Sequence, residues 1–139
     1  WQDELVLVAH PGFAARLSAK PTLDELLALP LVTRSLTSGS TRTVMSALSG
    51  HGIKSDDLRL VLQVGGNEAL KVAIMSQAGI GFISKWAVKP DLASGQLVRF
   101  ETPGLSVTRQ FYAISRQPLI PTCVKMFWDY IVDSAAKQD

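Results

Sequence analysis

The sequence has little cysteine, no large excess of one charge and no long apolar run. Cys123 is its single cysteine, which excludes an internal disulfide and a cysteine-based metal cage and favours a reducing compartment, by default the cytoplasm. The formal net charge is +2, without the clustered Lys and Arg that a nucleic-acid surface requires. The longest apolar runs, residues 5–9 and 78–83, are far too short to span a membrane. We therefore expect neither direct DNA binding nor membrane insertion.

Residues typical of an active site are also scarce. His10 and His51 adjoin proline or glycine in expected loops, and no Gly-x-Ser-x-Gly segment supplies a nucleophile. Residues 79–84 begin like a dinucleotide fingerprint, but the third glycine is absent and the glycines enter a strand instead of leaving one. The acidic candidates occupy helix-start or surface positions: Asp24, Glu25, Glu68 and Asp91. We therefore expect no catalytic residue, no metal and no cofactor.

The chain alternates short apolar segments with amphipathic ones, and 47% of its residues are apolar, which is enough for one compact domain. Strands are expected at residues 5–9, 31–33, 58–64 (with one face more buried than the other), 79–83, 97–100 and 111–114. Helices are expected from Thr22 with a capping-box partner at Glu25, after residues 38–41, near residue 67, as a short turn at 86–88 ending before Pro90, and from Pro121. This alternation predicts an α/β fold with a mostly parallel sheet flanked by helices.

Two polar turns each follow a predicted strand and precede a predicted helix: residues 38–41 (Ser-Gly-Ser-Thr) and 65–67 (Gly-Gly-Asn). In a parallel sheet both would lie at the carboxyl edge, where hydroxyls, an amide and free helix N–H groups favour a carboxylate or a similar anion. The alternative is that these residues only cap helices. Arg34 could add a charge-assisted contact, although a solvated surface arginine is the interpretation that the sequence favours.

Several segments, in this order, resemble the effector-binding domain of LysR-type transcriptional regulators. They are DELVLVAHP at 3–11, LDEL at 23–26, PLVTR at 30–34, SGSTR at 38–42, GNEALK at 66–71 and QAGIGFISKWAV at 77–88. The likeness extends over nearly the whole chain. It implies a Rossmann-like fold of the periplasmic-binding-protein type II kind.

The resemblance also implies how the chain is organised. Residues 1–139 would be a partial effector-binding domain, with about 5–115 forming the second subdomain and about 116–139 the returning helix of the first. A small effector, often an organic acid, would bind between the subdomains. The implied effector-binding residues are Thr33, Ser38, Ser40, Thr41, Gly65, Gly66 and Asn67.

The resemblance implies a parent protein that binds DNA through an N-terminal winged helix-turn-helix and assembles as a homodimer or homotetramer. The chain begins at Trp1 and enters an apolar segment almost at once, so we expect it to be part of a longer protein. The predicted function is effector sensing in a transcription regulator. A solute-binding protein of a transport system, which shares the architecture, is the alternative. An enzyme comes third, because the four acidic candidates are expected at helix starts or on the surface and not in a cleft.

Overall fold

The computed structural model describes residues 1–17, 21–115 and 121–136. The strands are β1 (Gln2–Ala9), β2 (Leu31–Arg34), β3 (Leu60–Val64), β4 (Gly81–Ser84), β5 (Val98–Phe100) and β6 (Thr108–Gln110). The helices are α1 (Pro11–Ala14), α2 (Leu23–Leu27), α3 (Gly39–Gly50), α4 (Asn67–Met75), α5 (Lys85–Ala93) and α6 (Thr122–Ala136), with a 3-10 turn at Ser55–Asp57. Two compact units divide the chain, one of residues 3–109 and one of residues 1–2 and 110–139. The predicted α/β class is confirmed, whereas the predicted subdomain boundary near residue 116 lies outside the described residues.

The strands of the larger unit form a mixed sheet. β2 and β3 pair in parallel, and β4 joins β2 through a parallel bridge between Leu31 and Ile80. β1 instead runs antiparallel to both β4 and β5. The prediction of a mostly parallel sheet therefore holds for β2, β3 and β4 and is wrong for β1, because an apolar run reports burial on both faces of a strand but not its direction.

Helices cover both faces of β1, which explains its continuous apolar run. Alternate side chains point to opposite faces of a strand, so successive residues of β1 enter different cores. One core contains Leu5, Leu7, Leu26 and Leu48. The other contains Val6, Val8, Leu70, Ile74 and Val88. Helices α2 and α3 thus pack on one face, and α4 and α5 on the other.

The glycines before and within β4 allow two strands to approach closely. A Cβ atom at Gly79 would clash with the carbonyl oxygen of Pro30, and one at Gly81 would lie 2.9 Å from the carbonyl oxygen of Val32. These glycines serve packing between β4 and β2, which agrees with the rejection of the dinucleotide motif.

Three details differ from the sequence-based expectation. β3 pairs only with β2 among the described residues and is largely exposed, with Leu62 41% exposed. α5 continues through Pro90, although proline cannot donate the backbone hydrogen bond of that position. Burial of Val88 in the core holds the helix in place. The sixth strand is Thr108–Gln110, and residues 111–115 lie outside any strand.

The capping box of α2 is confirmed. Glu25 N–H donates to Thr22 Oγ1 at 3.2 Å, and Thr22 N–H donates to Glu25 Oε2 at 2.7 Å. In the part of the chain that is described, no helix has the length and apolar character needed to cross a bilayer.

Candidate functional site

The N-termini of α3 and α4 lie at one edge of the sheet. Parallel strands end at the same edge, and β2 and β3 are each followed by one of these helices. Ser38 caps α3 by accepting a hydrogen bond from Thr41 N–H at 3.2 Å. Gly66 is the N-cap of α4 and offers no capping side chain, so the first N–H groups of α4 have no side-chain acceptor there.

Arg34, the last residue of β2, connects the two helix N-termini. Its Nη1 lies 3.5 Å from Ser40 Oγ in α3 and 3.5 Å from Asn67 Oδ1 in α4. The side chain is half-buried, and its Nε is buried with no hydrogen-bond partner among the described residues. The interpretation of Arg34 as a solvated surface arginine is therefore wrong. Because hydrogen bonds of 3.5 Å are at the limit of useful geometry, much of its donor capacity is unused.

Buried hydroxyl groups hold the loop before α3. Thr33 Oγ1 and Thr41 Oγ1 are 3.2 Å apart, and Ser38 Oγ donates to Thr41 Oγ1 at 2.8 Å. Thr41 Oγ1 in turn donates to the carbonyl oxygen of Arg34 at 3.1 Å. This network joins the end of β2 to the first turn of α3, so the hydroxyls of Thr33 and Thr41 are engaged within the fold.

A second arginine approaches the same serine. Arg109 Nη1 donates to Ser40 Oγ at 2.9 Å, while its Nε and Nη2 contact Asp3 Oδ2 at 2.8 and 2.7 Å. Asp3 Oδ1 accepts from the Ser84 hydroxyl at 2.9 Å. Sequence reasoning missed Arg109, Asp3 and Ser84. One signal was present, since Asp3 is an acid in the same strand as the apolar run at residues 5–9.

The buried hydroxyl of Ser40 is the common partner of two arginines. Arginine can only donate, so both guanidinium contacts use the oxygen of Ser40 as an acceptor. These two contacts occupy its two lone pairs, and no acceptor for its hydrogen lies among the described residues. Ser40 is therefore suited to donate to a group that only accepts hydrogen bonds.

Space around the second turn is open. A Cβ atom at Gly65 or Gly66 would meet no described atom within 4 Å, and neither residue has the positive φ that favours glycine. The fold does not require glycine at either position, and the lack of a side chain leaves the backbone N–H groups accessible.

Two cavities adjoin this edge. The cavity beneath Thr33, Arg34 and Ser40 has only about 10 Å³, which is too small for a metabolite. An open groove of about 600 Å³ begins at Gly39 and runs along the outer face of α3; its other lining residues are Arg42, Thr43, Ser46, Ala47, Ser106 and Thr108. The larger space at this edge is therefore the open groove beside α3.

Charge at this edge is unbalanced. Asp3 neutralises Arg109, whereas Arg34 has no carboxylate partner among the described residues. Two helix N-termini add partial positive charge, on the order of half an elementary charge each. This edge contains all seven residues implied by the resemblance, and Thr33, Ser40 and Thr41 are buried.

Other ionisable groups have structural surroundings. His10 Nδ1 accepts from Gly12 N–H and caps α1. The pKa of Lys71 is raised, first by its hydrogen bond to Asp91, which links α4 to α5 at 3.2 Å. Within residues 1–17, 21–115 and 121–136, no group of three or more His, Cys, Asp or Glu residues could hold a metal ion.

Comparison with known proteins agrees with this architecture. The regulatory domain of CcmR from Synechocystis PCC6803, solved in complex with 2-PG, aligns with a TM-score of 0.79 and 22% identity over 96% of this chain and 63% of that one. This likeness shows the periplasmic-binding-protein type II-like fold.

Two curated relatives align over most of this chain. The HTH-type transcriptional regulator MJ0300 of Methanocaldococcus jannaschii is 27% identical over 131 residues, which are 94% of this chain and 44% of that protein. The phosphonates import ATP-binding protein PhnC of Anaeromyxobacter dehalogenans is 36% identical over 122 residues, which are 87% of this chain and 24% of that protein. The chain thus spans less than half the length of either relative.

The family model described as the LysR substrate binding domain matches residues 1–136. The match extends over both compact units and over every strand and helix of the fold. The chain therefore belongs to the LysR substrate-binding domain family, the effector-binding domains of LysR-type transcriptional regulators.

Proposed function

We propose that this domain senses a small metabolite bearing a carboxylate or similar anionic group, bound at the N-termini of α3 and α4. One observation carries the proposal: the guanidinium of Arg34 lies between Ser40 and Asn67 without a carboxylate partner among the described residues. Arg34 Nη1 makes only two contacts of 3.5 Å, so a ligand oxygen at the open edge would accept from guanidinium donors that the fold leaves weakly bonded.

The donors at the edge fit an acceptor-only ligand group. The charge-assisted contact with Arg34 would contribute about 1.5–3 kcal/mol, and free helix N–H groups favour the same charge. Contacts to the ligand are proposed for Ser40, Gly65, Gly66 and Asn67, while Ser38, whose hydroxyl donates to Thr41, would position the first turn of α3 beside the ligand. Thr33 and Thr41 would hold the loop in place beneath it. No residue in this set supplies an activated nucleophile, so the domain binds its ligand without transforming it.

The response to the ligand would pass through the parent protein. Residues of about 5–115 would form the second subdomain and about 116–139 the returning helix of the first, with the effector between subdomains. An effector shifts their relative orientation only by its differential affinity for the two states. That shift would change the geometry of a homodimer or homotetramer on DNA. A winged helix-turn-helix outside this chain would bind the DNA, and the protein would act in the cytoplasm.

A thermal-shift screen of small carboxylates on the complete gene product tests the proposal. A ligand that binds only the folded state raises the melting temperature. Arg34→Met should abolish the shift, and Arg59→Met is the matched control because Arg59 is an exposed arginine just before β3, at the opposite edge of the sheet. The proposal fails if no carboxylate shifts the wild type, or if both variants respond alike.

The second part of the test concerns DNA. The double variant Ser38→Ala with Asn67→Ala should lose the effector response in a promoter-binding assay while its effector-free DNA affinity stays unchanged. An unchanged response of this variant would contradict the proposed contacts.

A solute-binding role in transport is the second candidate. The observation that favours it is the alignment with part of a protein named for phosphonate import. Methylphosphonate in the same thermal-shift screen tests this candidate. A shift by methylphosphonate but by no carboxylate, together with a gene that encodes no helix-turn-helix, would favour transport.

A further inference from the structure

Asp3 is a buried carboxylate near the start of β1, where the chain enters the larger unit. Its side chain has no exposed surface, and both of its oxygens are occupied. Oδ1 accepts from the Ser84 hydroxyl, while Oδ2 accepts both Nε and Nη2 of Arg109. The third nitrogen of that guanidinium, Nη1, contacts Ser40. Asp3 therefore acts on the proposed ligand site at the N-termini of α3 and α4 through Arg109, and not by direct contact with a ligand.

We infer that Asp3 is a specificity-determining residue that makes the edge selective for a singly charged anionic group, such as a carboxylate, over a dianion such as sulfate. The inference rests on the proposed function, because it concerns the ligand of the same edge. Its basis is the pairing of Asp3 with Arg109 beside Ser40 and the absence of a carboxylate partner for Arg34 among the described residues.

The selectivity follows from the charges at this edge. Two guanidinium groups converge on Ser40, and together they would carry two positive charges that suit a dianion. Asp3 cancels one of these charges but leaves the Nη1–H of Arg109 bound to Ser40. The edge then offers one uncompensated guanidinium, and a second negative charge on the ligand would have no uncompensated cation of its own.

A neighbouring carboxylate provides a matched control. Glu4 follows Asp3 in β1, so its side chain points to the opposite face of the strand. It pairs with Arg99 at 2.8 Å and Lys85 at 3.2 Å, both away from Ser40. Removing its charge changes the net charge of the chain as much as removing that of Asp3.

The test measures acetate and sulfate affinities by NMR titration of the full 139-residue chain, through the backbone amides of Ser40 and Asn67. Sodium chloride holds the ionic strength constant, so that screening is equal for all samples, and every variant is titrated with the same chloride series as the wild type. The wild type should bind acetate at least as well as sulfate. Asp3→Asn should improve the sulfate-to-acetate affinity ratio about ten-fold, the effect of one extra unit charge at short range in a partly solvated site. Glu4→Gln should leave the ratio unchanged.

Two further variants separate charge from structure. Arg109→Gln leaves Asp3 without its cation and should lower the sulfate-to-acetate ratio about ten-fold, by the same charge argument. The double variant Asp3→Asn with Arg109→Gln has a neutral pair again and should restore the wild-type ratio. If Asp3→Asn alone does not fold, Arg109→Gln decides the question, because a sulfate-to-acetate ratio that does not fall refutes the role of Asp3.

The outcomes distinguish the two proposals. If the wild type binds neither anion at this edge, the proposed function itself fails. If it binds them but the ratio is the same in all variants, or Glu4→Gln shifts it as much as Asp3→Asn, the role of Asp3 is refuted while the anion site stands. A double variant that keeps the ratio of either single variant would also refute it.

Discussion

Replacing Arg34 with methionine should affect stability and ligand binding in opposite ways. Its contacts with Ser40 and Asn67 are both 3.5 Å long, so they contribute little to folding. Its buried Nε has no partner among the described residues, and such a group costs about 1–3 kcal/mol. Methionine keeps most of the apolar stem without the polar group. We therefore expect Arg34→Met to leave the free energy of unfolding unchanged or to raise it by about 1 kcal/mol.

The same variant should lose ligand affinity. A charge-assisted hydrogen bond contributes about 1.5–3 kcal/mol, so the affinity for a carboxylate should fall roughly ten- to hundred-fold. Urea unfolding measures the stability, and titration calorimetry with an effector from the thermal-shift screen measures the affinity.

Arg109→Met is the informative comparison. It leaves the carboxylate of Asp3 buried without its ion-pair partner and should cost about 3–5 kcal/mol. The reasoning is refuted if Arg34→Met destabilises the chain as much as Arg109→Met does, because Arg34 would then be a structural residue. It is also refuted if Arg34→Met binds the effector as tightly as the wild type.

Three further predictions concern stability, each measured by urea unfolding. Gly79→Ala should lower the free energy of unfolding by about 3 kcal/mol, because the new Cβ would clash with the carbonyl oxygen of Pro30; a loss below about 0.5 kcal/mol would contradict the close strand approach. Ser38→Ala should cost about 1 kcal/mol through loss of the α3 cap, and an unchanged stability would mean that the cap is dispensable. Asp91 raises the pKa of Lys71 above 10.5 in the folded state. The contribution of this ion pair to the free energy of unfolding is therefore present below pH 10.5 and is lost as the pH rises through the folded-state pKa. Wild-type stability should therefore decline more steeply above about pH 10.5 than that of Lys71→Met, and parallel curves would contradict the ion pair.

Local patterns predicted many of the elements because their causes are local. Thr22 and Glu25 are three residues apart, so the capping box of α2 depends only on that helix turn. The apolar run of β1 reports burial, and burial on both faces is what the two cores show. The turns before α3 and α4 could be predicted because serine and glycine follow the apolar segments at residues 38–41 and 65–67. Each of these features was available without knowing which strands are neighbours.

The environment of Arg34 could not be predicted in the same way. Its partner Asn67 lies 33 residues further along the chain, and only the parallel pairing of β2 with β3 brings the two together. From sequence alone, an arginine at the end of a strand is predicted to be solvated, because most arginines are exposed. The pairing of Asp3 with Arg109 spans 106 residues and was missed for the same reason.

The sequence by itself determined the α/β class, the family resemblance and the two polar turns, because helix caps, glycine turns and apolar periodicity act over a few residues. The tertiary structure alone decided the antiparallel direction of β1, the position of Arg34 between two helices and the neutralisation of Arg109 by Asp3. Strand order and direction determine which distant charges meet, and the energy of a charge depends on those neighbours and on its burial.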